Sequence, residues 1–564
     1  MADKDEMTLE QCIARKLMLD IRFFDDGAGS APVTRLPAAL EQGLAALAPG
    51  GVILFRENID SVAQCRALTD QVRRVLGAEV LIAVDQEGGR VTRLPRDQVT
   101  SFSGNMALAA CAAQAREELA RAMGRAQGEE LAALGINVNF APTLDVNSNP
   151  ANPVINVRAF ADEPTLVATL GAAVVRGLQE AGVAAAVKHF PGHGDTSLDS
   201  HTDLPCVARD AQAAREIDLA PFAAVIRSAP PAMVMTAHIQ YPALDASTLP
   251  GTGVVRPATL SRALLTDLLR NDWGYGGVVI SDALDMAAIS ELMSPVDAVL
   301  ACFRAGVDIA LMPLRVRSAQ SLVQLEELVA AVAGAVRSGD LDESEIRESA
   351  SRVQAAQQRY CLPASTTGAA ERIACAEHLA LERRIAGHSV TLLHGSLVSL
   401  AGNSRVHLLM PTAASARALV AALERCEPGL RISWQALEQF DAQAESAGVA
   451  AADIYVVGVS EPAPGAVDIG GAEDLASLDD RSPASVQKQL LRLAEGRERV
   501  VILLQSPYPA AEYADLADTV LATYDAAPLG FGGAPGPAYC ALADVLTGAR
   551  TPDGQLPVRL QNGS

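Results

Sequence analysis

Eight short apolar, β-prone runs alternate with longer amphipathic stretches over the first 357 residues, and this alternation limits the fold more than any other feature. The runs lie near Leu17–Phe23, Gly51–Phe55, Val80–Val84, Asn137–Pro142, Val183–Val187, Ala232–Thr236, Gly277–Ile280 and Asp308–Met312. Short runs this apolar suit strands buried on both faces of a parallel sheet. Parallel neighbours need crossovers of about a dozen residues or more. Cys65–Leu76, Arg116–Leu134, Pro164–Ala181, Leu260–Asn271 and Val296–Ala305 read as helices that supply them. The fold class expected for residues 1–357 is therefore α/β, a (β/α)8 TIM barrel.

A stretch with Pro, Gly, Ser and Thr follows, and residues 358–374 read as a linker. Residues 375–564 open with a helix (Cys375–Gly387) and continue with strand-like runs at Ser389–Leu393, Val406–Met410, Ile454–Val459, Val500–Leu504 and Thr519–Thr523. Helices at Ala414–Glu424 and Ser485–Ala494 separate some of them, which predicts a smaller parallel αβα sandwich. The glycine-rich PLGFGGAPGP from Pro528 has neither GxGxxG after a strand nor a Walker lysine, so it reads as a surface turn before the last helix.

Polar residues mark one end of the predicted barrel. Asp85, Asp145, Lys188 with His189, His238 and Asp282 follow the third to seventh strands in turn, at the C-terminal ends where barrel enzymes build their sites. The richest stretch is KHFPGHGDTSLDSHTDLP, from Lys188 to Pro205, with His189, His193 and His201 among three histidines and three aspartates. In it, Asp199 and His201 are separated by one residue, so an extended chain points both side chains the same way. A carboxylate beside an imidazole fixes its tautomer and suits it to proton transfer near neutral pH. A metal site on the three histidines is disfavoured, because Pro191 and Gly192 break the helix that would align His189 with His193. Asp282, at a strand end near the mouth, can act as a nucleophile on an anomeric carbon, with the Asp199–His201 pair in place of the usual second carboxylic acid, and capping the next helix is the alternative role for such an aspartate. Asp285, three residues on, reads as a helix cap, and Asp145 and His238 as supporting residues.

Charge and thiols narrow the partners. The net charge of −22 argues against nucleic acid and against an anionic membrane. No apolar run reaches the length of a membrane span, and the N-terminal MADKDEMTLEQCIARK has no apolar signal core. Nine scattered cysteines without a CxxC pair suit free thiols in a reducing compartment, so a cytoplasmic location is expected.

KHFPGHGDTSLDSH, VDQEGGRVTRL, GGVILFRENI and GVVISDALDM resemble the motifs of glycoside hydrolase family 3, in its bacterial β-N-acetylglucosaminidase branch. The resemblance spans the whole barrel region. It implies a barrel followed by an αβα sandwich, and a retaining exo-β-N-acetylglucosaminidase that removes terminal β-N-acetylglucosamine from cell-wall or chitin-derived oligosaccharides. It implies Asp282 as nucleophile, His201 as acid/base and Asp199 as its partner. Asp85, Arg93, Arg158, Lys188 and His189 would hold the sugar, with no metal and no organic cofactor, and the chain would act as a monomer or homodimer. The β-glucosidases of the family draw their acid/base from the second domain. The stretch SEPAPGAVDIGGAEDLASLDD is the remnant candidate here, with Glu473 or Glu461, and the Asp-Ser-His unit makes it redundant. Two rivals stay open at the level of sequence. A phosphorylase is one, since a histidine that has given up its proton is neutral and does not repel phosphate. A non-catalytic sugar-binding protein is the other.

Overall fold

The computed structural model describes residues 7–200, 203–362, 369–461 and 483–560. Eight parallel strands form the first sheet: β1 (Leu17–Asp20), β2 (Gly51–Leu54), β3 (Leu81–Val84), β4 (Val138–Asn139), β5 (Ala184–Phe190), β6 (Met233–Thr236), β7 (Val278–Ile280) and β8 (Ala310–Leu311). The order is β8-β1-β2-β3-β4-β5-β6-β7, and a parallel bridge between Ile280 and Ile309 joins the two ends into a barrel. Alternation along each strand sorts the side chains. Met18, Ile53, Leu81, Ala83, Val138, Ala184, Ala186, Met233 and Val278 fill the barrel interior, and Val353 and Tyr360 join that cluster. Their neighbours Leu17, Leu19, Val52, Ile82, Val84, Ala185 and Val234 face the surrounding helices. A short hairpin, Phe23–Asp25 with Ser30–Pro32, follows β1, so the first strand ends at Asp20 and not at Phe23 as expected from the sequence.

The helix Ala319–Ser338 is long and apolar enough, by length and composition, to cross a bilayer. In the barrel its Leu325, Leu328, Val329, Val332 and Ala333 are buried in the layer between strands and helices, while Glu326 and Glu327 are exposed.

The second sheet has six strands: β9 (Thr391–Gly395), β10 (Arg405–Met410), β11 (Arg431–Ala436), β12 (Ile454–Val459), β13 (Glu498–Leu503) and β14 (Thr519–Ala522), in the order β9-β14-β13-β12-β10-β11. Two expectations change here. The sheet is mixed, because β9 pairs antiparallel with β14. An edge strand has one neighbour, and reversing it leaves every other pairing intact. The other edge, β11, went unseen because RISWQA has no apolar run and lies largely exposed. The PLGFGGAPGP stretch is a turn, closed by a Leu529–Pro535 bridge before the helix Pro537–Leu546.

Both faces of this sheet are buried, and one of the two cores is shared with the barrel. Met106, Ala107 and Ala110, on the helix Asn105–Ala110, and Val157 pack with Leu409, Tyr455, Val457 and Val520. Polar contacts reinforce the junction. Glu382, on the helix Ala376–Ser389, accepts the Ser101 N–H at 2.6 Å.

Burial pushes the Glu382 carboxyl up to about 7 from an ordinary 4.5. A carboxyl raised in the folded state holds a proton that the unfolded chain releases. Its stabilising effect is complete below the unfolded value and is lost as pH rises through about 7. Glu382→Gln keeps an oxygen for Ser101 without the charge. It is expected to raise stability at pH 8 by about 2 kcal/mol, with the gain shrinking toward pH 5. Denaturation at the two pH values checks this, and equal stabilities of variant and parent at pH 8 refute it.

Candidate active site

The C-terminal ends of the barrel strands surround a cavity of about 210 Å³. Asp85, Arg93, Arg158, Lys188, His189 and Asp282 line it together. Six of the eight residues expected from the sequence thus meet in one place. Asp199 precedes Ser200, which also lines the cavity, and His201 lies outside the described residues. Glu473 lies outside them too, and Glu461, at the end of β12, has no part in the cavity lining.

One wall of the cavity is built around Glu87, a residue not expected from the sequence. Glu87, buried behind the cavity, accepts two parallel bonds from Arg158, at 3.0 and 2.8 Å, and pairs with the Lys188 ammonium at 2.7 Å. Lys188 also donates to Asp85 at 2.7 Å, so one ammonium joins two carboxylates. Burial alone would raise the Glu87 carboxyl, but Arg158 and Lys188 outweigh it and hold the group well below the usual carboxylate range. Arg158, lowered by burial and raised more strongly by Glu87, stays a firm cation. The signal for Glu87 was present in VDQEGGR: it stands two residues after Asp85, so an extended strand end turns both carboxylates the same way. Arg158 therefore forms a buried salt bridge and faces the cavity as well.

Asp145 holds the next layer. Fully buried, it accepts His189 Nδ1 at 2.7 Å, the His189 N–H and, at 2.6 Å, the His193 N–H. This fixes the His189 ring with Nε2 toward Arg158, at 3.5 Å. His193 contacts Thr196 Oγ1 at 2.7 Å through Nδ1 and Ser200 Oγ at 3.0 Å through Nε2. Burial lowers its pKa to about 4, so it is neutral at pH 7 and anchors the loop that precedes Asp199. The Asp282 carboxylate, also in the lining, accepts the Ala283 N–H at 2.8 Å, and His238 steadies this corner by bonding the Ala283 carbonyl at 2.9 Å. Asp285 is not a helix cap. It lines the cavity and pairs with Arg315 at 3.0 Å, while Met286 occupies the cap position of the short helix that follows.

Comparison with known proteins places this constellation. Residues 19–356 match the model of the glycosyl hydrolase family 3 N terminal domain. The chain belongs to glycosyl hydrolase family 3. Beta-hexosaminidase A of Pseudoalteromonas piscicida is 39% identical over 585 residues, spanning 99% of this chain and 98% of its own length. Beta-hexosaminidase of Thiobacillus denitrificans is 41% identical over 265 residues, 46% of this chain and 70% of its own. A solved family 3 beta-N-acetylglucosaminidase from Paenibacillus sp. str. FPU-7 is 30% identical, with a TM-score of 0.80 over 99% of this chain and all of that one. The two-domain arrangement is thus that of a full-length family 3 relative. As a family 3 glycoside hydrolase, the protein presents a carboxylate, Asp282, in one small cavity with charged donors and acceptors suited to sugar hydroxyls.

Proposed function

We propose that this protein is a retaining exo-β-N-acetylglucosaminidase that removes terminal, non-reducing β-N-acetylglucosamine from cell-wall or chitin-derived oligosaccharides. The observation that carries the reading is the convergence of Asp85, Arg93, Arg158, Lys188 and His189 on one cavity with Asp282. A cavity of about 210 Å³ suits a single terminal ring rather than a length of polysaccharide. The names of the full-length relatives support the choice of an N-acetylhexosamine.

In this mechanism an Asp282 oxygen attacks the anomeric carbon as the bond to the leaving oxygen breaks, and His201 gives that oxygen its proton. The product is a glycosyl ester on Asp282. The now neutral His201, oriented by Asp199, then takes a proton from water as the water oxygen displaces Asp282. The hydroxyls are held by Asp85 as acceptor and by Arg93 and Lys188 as charged donors. No step calls for a metal or an organic cofactor. The nine free thiols fit a reducing compartment, and we place the enzyme in the cytoplasm on that ground.

Incubation with an aryl N-acetyl-β-glucosaminide, with and without phosphate, tests the reading. Free β-N-acetylglucosamine as the first product under both conditions supports it. The α anomer would make the enzyme inverting, and N-acetylglucosamine 1-phosphate formed only with phosphate would make phosphate the acceptor. His201→Ala separates the acid role from the rest. Turnover of a disaccharide, whose leaving group needs a proton, is expected to fall about 10²-fold. A dinitrophenyl glycoside, which leaves unaided, is expected to lose far less in its glycosylation step. Equal losses in kcat/KM for the two would remove His201 from the acid role.

A further inference from the structure

We propose that Tyr508 of the second domain is a positioning residue for the barrel's catalytic loop. It holds Asn147, and the segment 145–152 in turn holds the base of the 190–200 loop that leads into the Asp199–His201 pair. The proposal rests on the acid/base role assigned to that pair above.

The loop after β5 has no regular structure from Pro191 to Ser200, so its shape depends on what it touches. Its anchors converge on one short segment. Asp145 accepts the His193 N–H, Asn152 donates to the His193 carbonyl at 2.9 Å, and Asn149 donates to the Thr196 carbonyl at 3.2 Å. Ser148 Oγ lies 3.4 Å from Asp195 and also accepts from Arg209, which pairs with Asp195. Gly194 packs so tightly on the Val146 carbonyl that a Cβ there has no room.

The opposite side of the 143–163 stretch rests on the second domain. The Asn147 amide donates to the Tyr508 hydroxyl at 2.6 Å, and the flipped amide would present its oxygen to the same hydroxyl. Val157 is buried in the second domain's core, and the Arg559 N–H reaches Asp162 at 2.8 Å. Tyr508 packs its ring against that same core and is absent from the cavity lining, so it acts through Asn147 and not on the sugar. Asn147 stands two residues from Asp145 and next to Ser148, so a shift at Asn147 is passed to the loop's anchors. Catalytic geometry is sensitive to such shifts, because a displacement of about 1 Å far from the chemistry can cost about 10²-fold.

Tyr508→Phe keeps the ring and removes the hydroxyl. In the full chain it is expected to lower kcat/KM on N,N′-diacetylchitobiose by about tenfold, as a displacement of the catalytic loop smaller than about 1 Å would. On a dinitrophenyl N-acetyl-β-glucosaminide the loss is expected to stay below about twofold, because that leaving group needs little acid. Asn147→Ala should behave alike, and the double variant should be no worse than either single one. Hydrogen exchange should quicken at the amides of His193 and Thr196 and stay unchanged in the barrel strands. Equal losses on both glycosides, additive losses, or unchanged exchange in the loop would each overturn the proposal. Should the parent enzyme cleave neither glycoside, the functional reading falls, and the exchange measurement alone decides the link from Tyr508 to the loop.

Discussion

Asp282→Asn is expected to lower kcat on N-acetyl-β-glucosaminides by about 10⁴-fold or more while leaving the fold intact. The carboxamide has the shape of the carboxylate and still offers an oxygen to the Ala283 N–H. It lacks the negative charge that makes the oxygen a nucleophile and that offsets the positive charge growing at the anomeric carbon. The fold should tolerate the change, since Asp282 is only part-buried and its loop is held independently by His238 on the Ala283 carbonyl. A stricter form of the test uses Asp282→Ala with added azide. If Asp282 is the nucleophile, the small anion enters the vacated space and an activated substrate yields the α-glycosyl azide. Residual activity above about 1% of the parent in the Asn variant would move the nucleophile elsewhere. Asp285, the next carboxylate in the cavity lining, would then be the first place to look.

The barrel was legible because its strands are buried on both faces, so most appear in the sequence as apolar runs, although Asp20 in β1 and Asn139 in β4 break the pattern. The strand ends could be read for the same reason: a charged residue directly after such a run has to face the mouth. Where burial is one-sided, the signal fades. The edge strand β11 has its backbone paired on one side only and carries Arg431, Ser433 and an exposed Trp434, so nothing in RISWQA demands a strand. Glu87 shows a different limit. Its role depends on Arg158, 71 residues away, and on Lys188, and a single sequence does not report which buried cations share an anion. Tyr508 is further still from its partner, 361 residues along the chain, in a loop whose composition is that of an ordinary turn. The charged residues at the strand ends that meet in the cavity were readable, whereas those that hold them in place belong to the packing of one element on another.

Glu87→Gln is the substitution expected to cost the most stability in the site, about 3–5 kcal/mol. The side chain keeps its size, so no cavity opens. Its charge disappears, and an amide donor now faces Arg158 or Lys188, each of which can only donate. Both cations are nearly fully buried, which leaves Asp85 as the remaining carboxylate in contact with Lys188 and deprives Arg158 of its two-point partner. The sign of the pH dependence follows from the depressed carboxyl. In the unfolded chain Glu87 titrates near its ordinary 4.5, and in the fold it titrates far lower. Its contribution is therefore complete above about pH 4.5 and is lost as pH falls toward the folded value. Denaturant unfolding of parent and variant should differ widely at pH 7 and converge as the pH is lowered below 4.5. Activity should fall with stability, and KM should rise if Arg158 and Lys188 bind the sugar, because they are no longer fixed in the cavity wall. A variant as stable as the parent at pH 7 would show that Asp85 alone suffices to hold both cations. The Arg158–Glu87–Lys188 cluster would then be a by-product of the site's geometry rather than its support.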